Sequence, residues 1–323
     1  MNHFKICSKT KPSKEINEDY HFFSEKNNMK FGGIFDGHGG PSISKYFCEN
    51  IKQKFNENPN MNICETLADL QKYCRISSNG TTVLLYRITF TSNTSGEIEV
   101  VWCGDSRGIL YSVNNDGDYS LLFTTSDHTS SSFSERKRHI RICKENNTSP
   151  ATFILSNREN FCPIDREDIT FDVYSTDRKK ISLPEDEKRF FKYGLDTYRM
   201  NGYLCPSRIF GHKINSGNEL PNCCYIPDLF KFKFDNLNEN INIGGFFASD
   251  GVWDVMTSKS ILELIKGDKY NIDTSCDKIL TETYKRWTGK CIHALYKYRS
   301  YFFSYPDMEI GESDDITFIS FLI

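Results

Sequence analysis

Acidic residues border four apolar, strand-like runs of the chain, and they do so in two opposite senses. Asp36 and Asp250 each follow such a run and precede a glycine, which is typical of a turn where a strand ends. The acid pairs at 18–19 and 314–315 instead come directly before runs that begin YHFF and ITFI. If the strands that acids follow are antiparallel to the strands that acids precede, the C-terminal ends of the first lie beside the N-terminal ends of the second. The sequence therefore predicts that these carboxylates converge.

Converging carboxylates repel one another unless a counter-charge lies among them. Neither Arg nor Lys is adjacent to Asp36, Asp250 or Asp314 in the sequence, so divalent cations are the natural counter-charge. Mg²⁺ and Mn²⁺ prefer carboxylate, carbonyl and water oxygens, and Gly37 allows a turn in which its own carbonyl can be a ligand. Two cations that share one aspartate can bind a bridging water and direct it at phosphorus. Each Asp-Gly pair alone is more often an ordinary turn, so only the combined pattern indicates a metal site.

The remaining pattern predicts one domain of mixed α and β structure over 1–323. Strand-like runs lie at 4–8, 20–24, 29–35, 82–90, 97–103, 108–113, 121–124, 244–249 and 316–323. Helical spacing follows Pro41 and recurs around 60–74, at 257–266 and at 273–297. Residues 130–200 are charged and weakly periodic, which favours surface helices and loops. No internal repeat and no linker rich in Pro, Gly or Ser divides the chain.

Eight short motifs then occur in a characteristic order. They are NEDY (17–20), FDGHGG (35–40), GTTVLL (80–85), CGDSRG (103–108), SDH (126–128), SRIFG (207–211), ASDGVWD (248–254) and SDDIT (313–317). Over nearly the whole chain this set resembles the signature of the protein phosphatase 2C family of metal-dependent serine/threonine phosphatases. The resemblance implies an α+β fold in which two antiparallel sheets form a central β-sandwich flanked by helices, a four-layer αββα arrangement. It also implies a metal centre at one end of the sandwich.

The resemblance assigns roles to the direct metal ligands. Asp36 matches the aspartate that bridges two Mg²⁺ or Mn²⁺ ions, and Gly37 matches the carbonyl ligand of the first ion. Asp250 and Asp314 match the direct ligands of the second ion. The implied function is hydrolysis of phosphoserine or phosphothreonine in a phosphoprotein substrate, by a water that bridges the two ions. The oxygen ligands accept either metal, so the choice between Mg²⁺ and Mn²⁺ stays open.

Further acids and one histidine match outer parts of the same site. Glu18 and Asp19 match acids that hold metal-bound waters. Asp105 and Asp254 match acids that, together with the residue at position 250, hold a weaker third ion in many members. His38 matches a proposed general acid for the leaving serine or threonine oxygen, and histidine suits this role because its charge changes near neutral pH.

The phosphate-binding position departs from the family pattern. Lys14 lies four residues before Glu18, where most eukaryotic members have an arginine that grips the substrate phosphate. Lysine keeps the charge but lacks the planar fork that binds two phosphate oxygens, so we expect weaker phosphate binding and retained chemistry. Lys11 or another basic residue is an alternative for the same role.

Three other departures concern the surroundings of the site. His212 replaces the usual aspartate after SRIFG, which predicts an effect on local loop order. Asp315 replaces the usual asparagine after Asp314, and either tighter metal binding or an exchange of roles between the two acids is open. The stretch at about 141–198 is longer than usual and falls in the flap region. It is a candidate for substrate specificity, and an inert surface excursion is an equally open interpretation.

Composition limits the partners and the compartment. The formal charge of −3 comes from 40 basic and 43 acidic side chains, which disfavours nucleic acid as a partner. The twelve cysteines form no CxxC pair, which gives no support to a zinc site. No apolar run approaches 18 residues, so we expect no membrane insertion. A chain of this size needs no disulfides, so we expect reduced cysteines and an intracellular protein, cytoplasmic or nuclear. We also expect a monomer. An active phosphatase is the leading hypothesis. The alternative is a pseudophosphatase that binds metal or phosphoprotein with little or no turnover.

Overall fold

The structure is a computed structural model. It describes residues 4–13, 15–74, 78–151, 153–155, 170–175, 180–181, 198–201, 204–212, 222–235, 237, 241–266, 271–296, 299–304 and 314–323. The described strands are β1 (Lys5–Lys11), β2 (Tyr20–Lys26), β3 (Met29–Phe35), β4 (Gly37–His38), β5 (Gly80–Thr81), β6 (Val83–Phe90), β7 (Gly96–Cys103), β8 (Arg107–Asn114), β9 (Tyr119–Thr124), β10 (Phe153–Leu155), β11 (Thr170–Ser175), β12 (Lys180–Ile181), β13 (Tyr198–Met200), β14 (Phe210–Gly211), β15 (Asp228–Phe234), β16 (Ile241–Ala248), β17 (Lys290–Tyr296), β18 (Arg299–Ser304) and β19 (Ile316–Leu322). The described helices are α1 (Ser42–Glu57), α2 (Ile63–Tyr73), α3 (Phe133–Glu145), α4 (Asp250–Trp253), α5 (Ser258–Ile265) and α6 (Ile272–Gly289), with one 3-10 turn at Asn222–Tyr225.

Two five-stranded antiparallel sheets form the centre of the fold. Their strand orders are β1-β19-β16-β8-β9 and β15-β7-β6-β3-β2. Side chains of a strand alternate between its two faces, and β7 shows how this builds two cores. Ile98 and Val100 enter the core between the sheets, whereas Val101 and Cys103 enter the core beneath the helices. Both faces of β7 are therefore buried, which explains its nearly continuous apolar sequence.

Helices cover the outer face of each sheet. Phe47, Ile51 and Phe55 recur every four residues along α1 and pack with α2 against the sheet that contains β3. Ile261 of α5 and Ile279 of α6 pack in the same way on the sheet that contains β16 and β19. The layers are therefore helix, sheet, sheet and helix, and the predicted α+β sandwich is confirmed. Among the described helices, none combines the length and apolarity needed to cross a membrane.

The predicted helix at 273–297 is wrong in its C-terminal part. The helix α6 ends at Gly289, and the following residues form β17, which pairs with β18 and with β11. The segment after Gly289 is rich in residues that also favour strands, and pairing with a distant strand decides its conformation.

The strand β11 lies within the 141–198 stretch, where the sequence predicted an insertion of loops and helices. It belongs to a four-stranded sheet of order β12-β11-β17-β18. This stretch therefore pairs through its backbone with the segment that follows α6. A role of 141–198 in specificity, and the single-domain organisation of the chain, both stay predictions.

Candidate metal centre

The two sheets bring the predicted acidic positions to one end of the sandwich. Tyr20, which begins β2, pairs with Phe35, which ends β3, so residues 18–19 lie beside Asp36. In the other sheet Ala248 pairs with Phe318, so Asp250 and residue 314 lie at the same edge. The predicted antiparallel relation therefore holds within each sheet, and the sandwich places the two edges together.

Burial of the acids at this end is costly in the absence of a cation. Asp36 is 5% exposed, Asp105 is 7% exposed and Asp19 is 4% exposed. Burial raises the pKa of the Asp36 carboxyl well above its ordinary value, and repulsion from Asp250, Asp19 and other carboxylates raises it further. Burial also raises the pKa of Asp105 well above its ordinary value, followed by repulsion from Asp250. Removing charged carboxylates from water disfavours them unless a cation or hydrogen bonds compensate.

Several of these carboxylate oxygens also lack protein partners. Within the described residues, Oδ2 of Asp19, Oδ2 of Asp36 and Oδ1 of Asp105 are buried without a hydrogen-bond partner. Ligand atoms of His38, Asp105 and Asp250 lie within 4.8 Å of one another. Buried oxygens that are unpartnered and mutually repelling are the donor set that hard divalent cations require. The residues therefore fit Mg²⁺ or Mn²⁺.

Gly37 and His38 are held by a small sheet of order β14-β5-β4. Gly37 pairs with Thr81, and His38 pairs with Gly80. A Cβ at Gly37 would collide with the carbonyl oxygen of Glu18, so only glycine allows this close approach of the backbones. The His38 ring is partly buried, and its Nδ1 lies 3.7 Å from Oδ1 of Asp36. The predicted general acid therefore lies against the predicted bridging aspartate.

Asp105 is positioned through the glycine that precedes it. Gly104 has a φ of +121°, which favours glycine, and its N–H donates to Nδ1 of His128 at 3.2 Å. The other ring nitrogen of His128 then carries the hydrogen and donates to Oδ2 of Asp228 at 3.0 Å. His128, which lies in the SDH motif, thus holds the backbone next to Asp105.

A buried ion-pair network lies behind His128. Arg208 is 3% exposed, and its guanidinium donates to Glu135 of α3 at 2.8 and 2.6 Å and to Oδ1 of Asp228 at 2.6 Å. A guanidinium donates in a fixed fork, so this pairing fixes α3 relative to β15. Sequence reasoning did not identify Glu135 or Asp228, because neither lies in a motif.

Arg107 is a cation near the acids that sequence reasoning also missed. Its guanidinium pairs through two nitrogens with Asp127 and lies 4.9 Å from the centroid of the Trp253 ring. It is close enough to attract Asp105 and Asp254 electrostatically. The CGDSRG and SDH motifs contain both partners of this pair, which was the signal available in the sequence.

His212 lies next to the predicted general acid. It has a φ of +48°, a conformation that Asn, Asp and His tolerate better than most residues. A Cβ at Gly80 would collide with the His212 ring, so that ring packs directly over the strand partner of His38. Burial, and then the charge of His38, lower the pKa of His212 to about 4. The ring is therefore neutral at physiological pH, and the departure at 212 affects the site as well as the loop.

The remaining predicted residues lie at the rim or outside the described part. Asp314 and Asp254 are exposed, and Asp254 lies within electrostatic reach of Asp250. Lys14 lies outside the described residues, so its predicted contact with phosphate stays a prediction. Lys11, the alternative, has its Nζ 3.0 Å from the centroid of the Tyr284 ring.

The fold is a four-layer αββα sandwich, and the buried carboxylate oxygens without partners at one end of it suit divalent cations. Residues 2–145 match the family model described as protein phosphatase 2C, and the predicted resemblance to that family is confirmed. No curated protein sequence matches the chain.

Solved structures share the fold at low sequence identity. A serine-threonine phosphatase 2C from Toxoplasma gondii has a TM-score of 0.57 and 16% identity, with 99% of this chain and 94% of that chain covered. Serine/threonine phosphatase Stp1 from Staphylococcus aureus has a TM-score of 0.55 and 15% identity, with 100% and 95% covered. A C. elegans sex determining protein has a TM-score of 0.58 and 16% identity, and here all of this chain spans 65% of that chain.

We expect Mn²⁺ to stabilise the protein, and to do so more at higher pH. At a concentration about 100 times Kd, binding should raise Tm by about 5 °C at pH 7.5. Because the carboxyl pKa values of Asp36 and Asp105 are raised, the metal-free folded protein is most stable when these groups are protonated. It loses stability as the pH rises through their folded-state pKa values. The rise in Tm that Mn²⁺ causes should therefore be smaller at pH 5.5. Thermal melts with Mn²⁺ and with EDTA, at matched ionic strength, measure it, and an equal increment at both pH values would contradict the expectation.

Proposed function

We propose that this protein is a metal-dependent protein serine/threonine phosphatase that hydrolyses phosphoserine or phosphothreonine in phosphoprotein substrates. One observation carries the proposal: Asp36, Asp19 and Asp105 bury carboxylate oxygens without protein partners at the edge where the phosphatase motifs meet. A cation would satisfy these oxygens, and cations are what phosphoryl transfer needs to offset developing negative charge.

The residues proposed to hold ions or their waters come from five segments of the chain. Asp36 would bridge two ions, and the Gly37 carbonyl would complete the first. Asp250 and Asp314 would hold the second ion. Glu18 and Asp19 would orient waters around the site, and Asp105 and Asp254 would favour a weaker third ion. When bound, Mg²⁺ or Mn²⁺ would supply an activated water and neutralise the acids.

The chain's own residues would handle the proton and the phosphate. His38, whose side chain is partly buried, would give a proton to the serine or threonine oxygen as its bond to phosphorus breaks. Asp36 Oδ1 lies 3.7 Å from Nδ1, so the ring lies against the proposed bridging aspartate. Lys14 would bind the phosphate as a point charge, more weakly than an arginine would. The neutral His212 would limit the positive charge that accumulates around His38.

The experiment that tests the proposal is hydrolysis of a phosphoserine peptide by the full chain, with Mg²⁺ and Mn²⁺ added in turn. We expect phosphate release with either metal and none with EDTA. Restoration of the rate on adding metal back to the EDTA-treated protein is the control for irreversible unfolding. Phosphate release that is equally fast with EDTA would contradict the proposal.

A pseudophosphatase is the second candidate, and specific residues favour it. Lys14 replaces the arginine fork, and a buried imidazole at His212 replaces the usual acid beside His38. Calorimetric titration with Mn²⁺ combined with the hydrolysis assay separates the two candidates. A pseudophosphatase would bind the ion and show no metal-dependent rate with any phosphopeptide, whereas an active enzyme shows both.

A further inference from the structure

The carboxylate of Asp315 has its acceptors occupied by the segment that leads into β2. Oδ1 accepts from the Ser13 N–H at 2.6 Å and from the Ser13 hydroxyl at 2.9 Å. Oδ2 accepts from the Glu18 N–H at 2.7 Å. Asp315 is 5% exposed, so these bonds are largely shielded from water. Both oxygens therefore face the 13–18 segment, and Asp315 is not aimed at the cluster of acids.

The backbone of Asp315 contacts two other parts of the site. Its N–H donates to Oδ1 of Asp314 at 2.8 Å, which orients that exposed carboxylate. Its carbonyl oxygen lies so close to Gly251 that a Cβ there would collide with it. Gly251 directly follows Asp250. One residue thus joins the segments that carry Glu18, Asp250 and Asp314.

The hydrogen-bond chemistry explains why an acid is suited to position 315. The donors of Ser13 and Glu18 approach both side-chain oxygens, and an ionised carboxylate offers only acceptors. An asparagine offers one acceptor oxygen and an NH₂ group. The NH₂ group would replace one of the two carboxylate oxygens and would then face an N–H donor of Ser13 or Glu18. Bonds from neutral donors to a charged acceptor are also stronger than neutral ones. The replacement of asparagine by aspartate therefore matches the donors that this chain presents.

We propose that Asp315 is a positioning residue that ties the 13–18 segment to the metal-binding end of the sandwich, and thereby sets the geometry for binding the substrate phosphate. In the sequence this segment contains Lys14 and ends at Glu18. The role in substrate binding rests on the proposed phosphatase function, whereas the tie itself rests on the hydrogen bonds alone. It also answers the question left open by the sequence, because Asp315 is a tether for the segment and not a rival ligand to Asp314.

The test compares Asp315→Asn with the matched surface variant Asp277→Asn. Asp277 is exposed and pairs with Lys9 of β1 at 2.6 Å. This control therefore removes an acid that pairs with β1, and leaves the hydrogen bonds of the 13–18 segment intact. Loss of a charged acceptor should speed amide hydrogen exchange across 12–19 by about tenfold in the first variant only. For a phosphoserine peptide we expect KM to rise by about tenfold while kcat changes by less than about threefold. The Mn²⁺ Kd from calorimetry should change by less than about threefold, because the direct ligands are intact.

Two outcomes would overturn the proposal. The first is unchanged hydrogen exchange across 12–19 in Asp315→Asn. The second is an Mn²⁺ Kd raised by tenfold or more with KM unchanged, which would make Asp315 a metal residue. Should Asp315→Asn fail to fold, Ser13→Ala removes a single donor, and it should give a smaller change of the same kind. A wild-type protein without metal-dependent turnover would reject the phosphatase function, and hydrogen exchange together with inorganic phosphate binding would then still decide the role of Asp315.

Discussion

Asp36→Asn should abolish metal-dependent hydrolysis and at the same time stabilise the metal-free protein. We expect kcat/KM for a phosphoserine peptide to fall by at least about 10³-fold, because the variant loses the carboxylate proposed to bridge both ions. The metal-free protein should melt a few degrees higher, by about 2–4 °C for each kcal/mol of repulsion relieved. Burial and the neighbouring carboxylates raise the pKa of Asp36 well above its ordinary value, which is the physical reason for the gain.

The control for Asp36→Asn is Asp116→Asn, which removes an exposed acid in the turn before β9. It should change neither activity nor Tm beyond error. Calorimetry with Mn²⁺ should show heat for this control and little for Asp36→Asn. An Asp36→Asn protein that keeps its activity would remove the proposed mechanism, and one whose metal-free form is less stable than wild type would contradict the electrostatic argument.

Arg208→Met should cost about 3–5 kcal/mol of unfolding free energy, because it leaves the buried Glu135 carboxylate charged without the guanidinium that pairs with it. Asp228 is partly exposed and keeps its hydrogen bond to His128, so it contributes less to the loss. The Arg208 side chain is 4% exposed and donates to both acids. Urea unfolding followed by circular dichroism measures the loss. The exposed pair of Arg141 with Glu145, at 3.9 Å, provides the control, and Arg141→Met should change the free energy by less than about 0.5 kcal/mol.

The loss in Arg208→Met should depend on pH in a defined direction. Burial acts to raise the pKa of Glu135, but the hydrogen bonds and charge of Arg208 outweigh it and lower that pKa overall. An acid with a lowered pKa contributes stability above its unfolded-state pKa and loses it as the pH falls through the folded-state value. The difference between wild type and variant should therefore be full at pH 7 and shrink below about pH 4. A difference that grows on acidification would show that the network is not held by its charges.

The network also bears on the metal centre. Asp228 links Arg208 to His128, and His128 accepts the N–H of Gly104 next to Asp105. Glu135 of α3 is thus connected to Asp105, an acid of the proposed third-ion site, through four residues in a row. They are Arg208, Asp228, His128 and Gly104. Calorimetric titration of Arg208→Met with Mn²⁺ measures the coupling between the network and the metal centre.

The sequence by itself predicted that each acid pair lies beside an Asp-Gly turn. Antiparallel pairing of a strand that ends at Asp-Gly with a strand that follows an acid pair puts residues 18–19 beside Asp36, and residue 314 at the same edge as Asp250. The packing of the two sheets then brings these two edges together. Local patterns also predicted α1, because apolar residues about four positions apart form one face of a helix that must be buried. These features are encoded over a few neighbouring residues, which is the range that periodicity and turn chemistry cover.

Only the tertiary structure decided which polar groups form hydrogen bonds and ion pairs with which acids. Asp315 and Glu18 are 297 positions apart, and Arg208 and Glu135 are 73 positions apart, so no local pattern links them. The segment after Gly289 contains residues that suit either a helix or a strand, and pairing with β11 decided its conformation. Burial, moreover, depends on the whole fold. It leaves oxygens of Asp36 and Asp105 without hydrogen-bond partners, so a bound cation would stabilise these carboxylates.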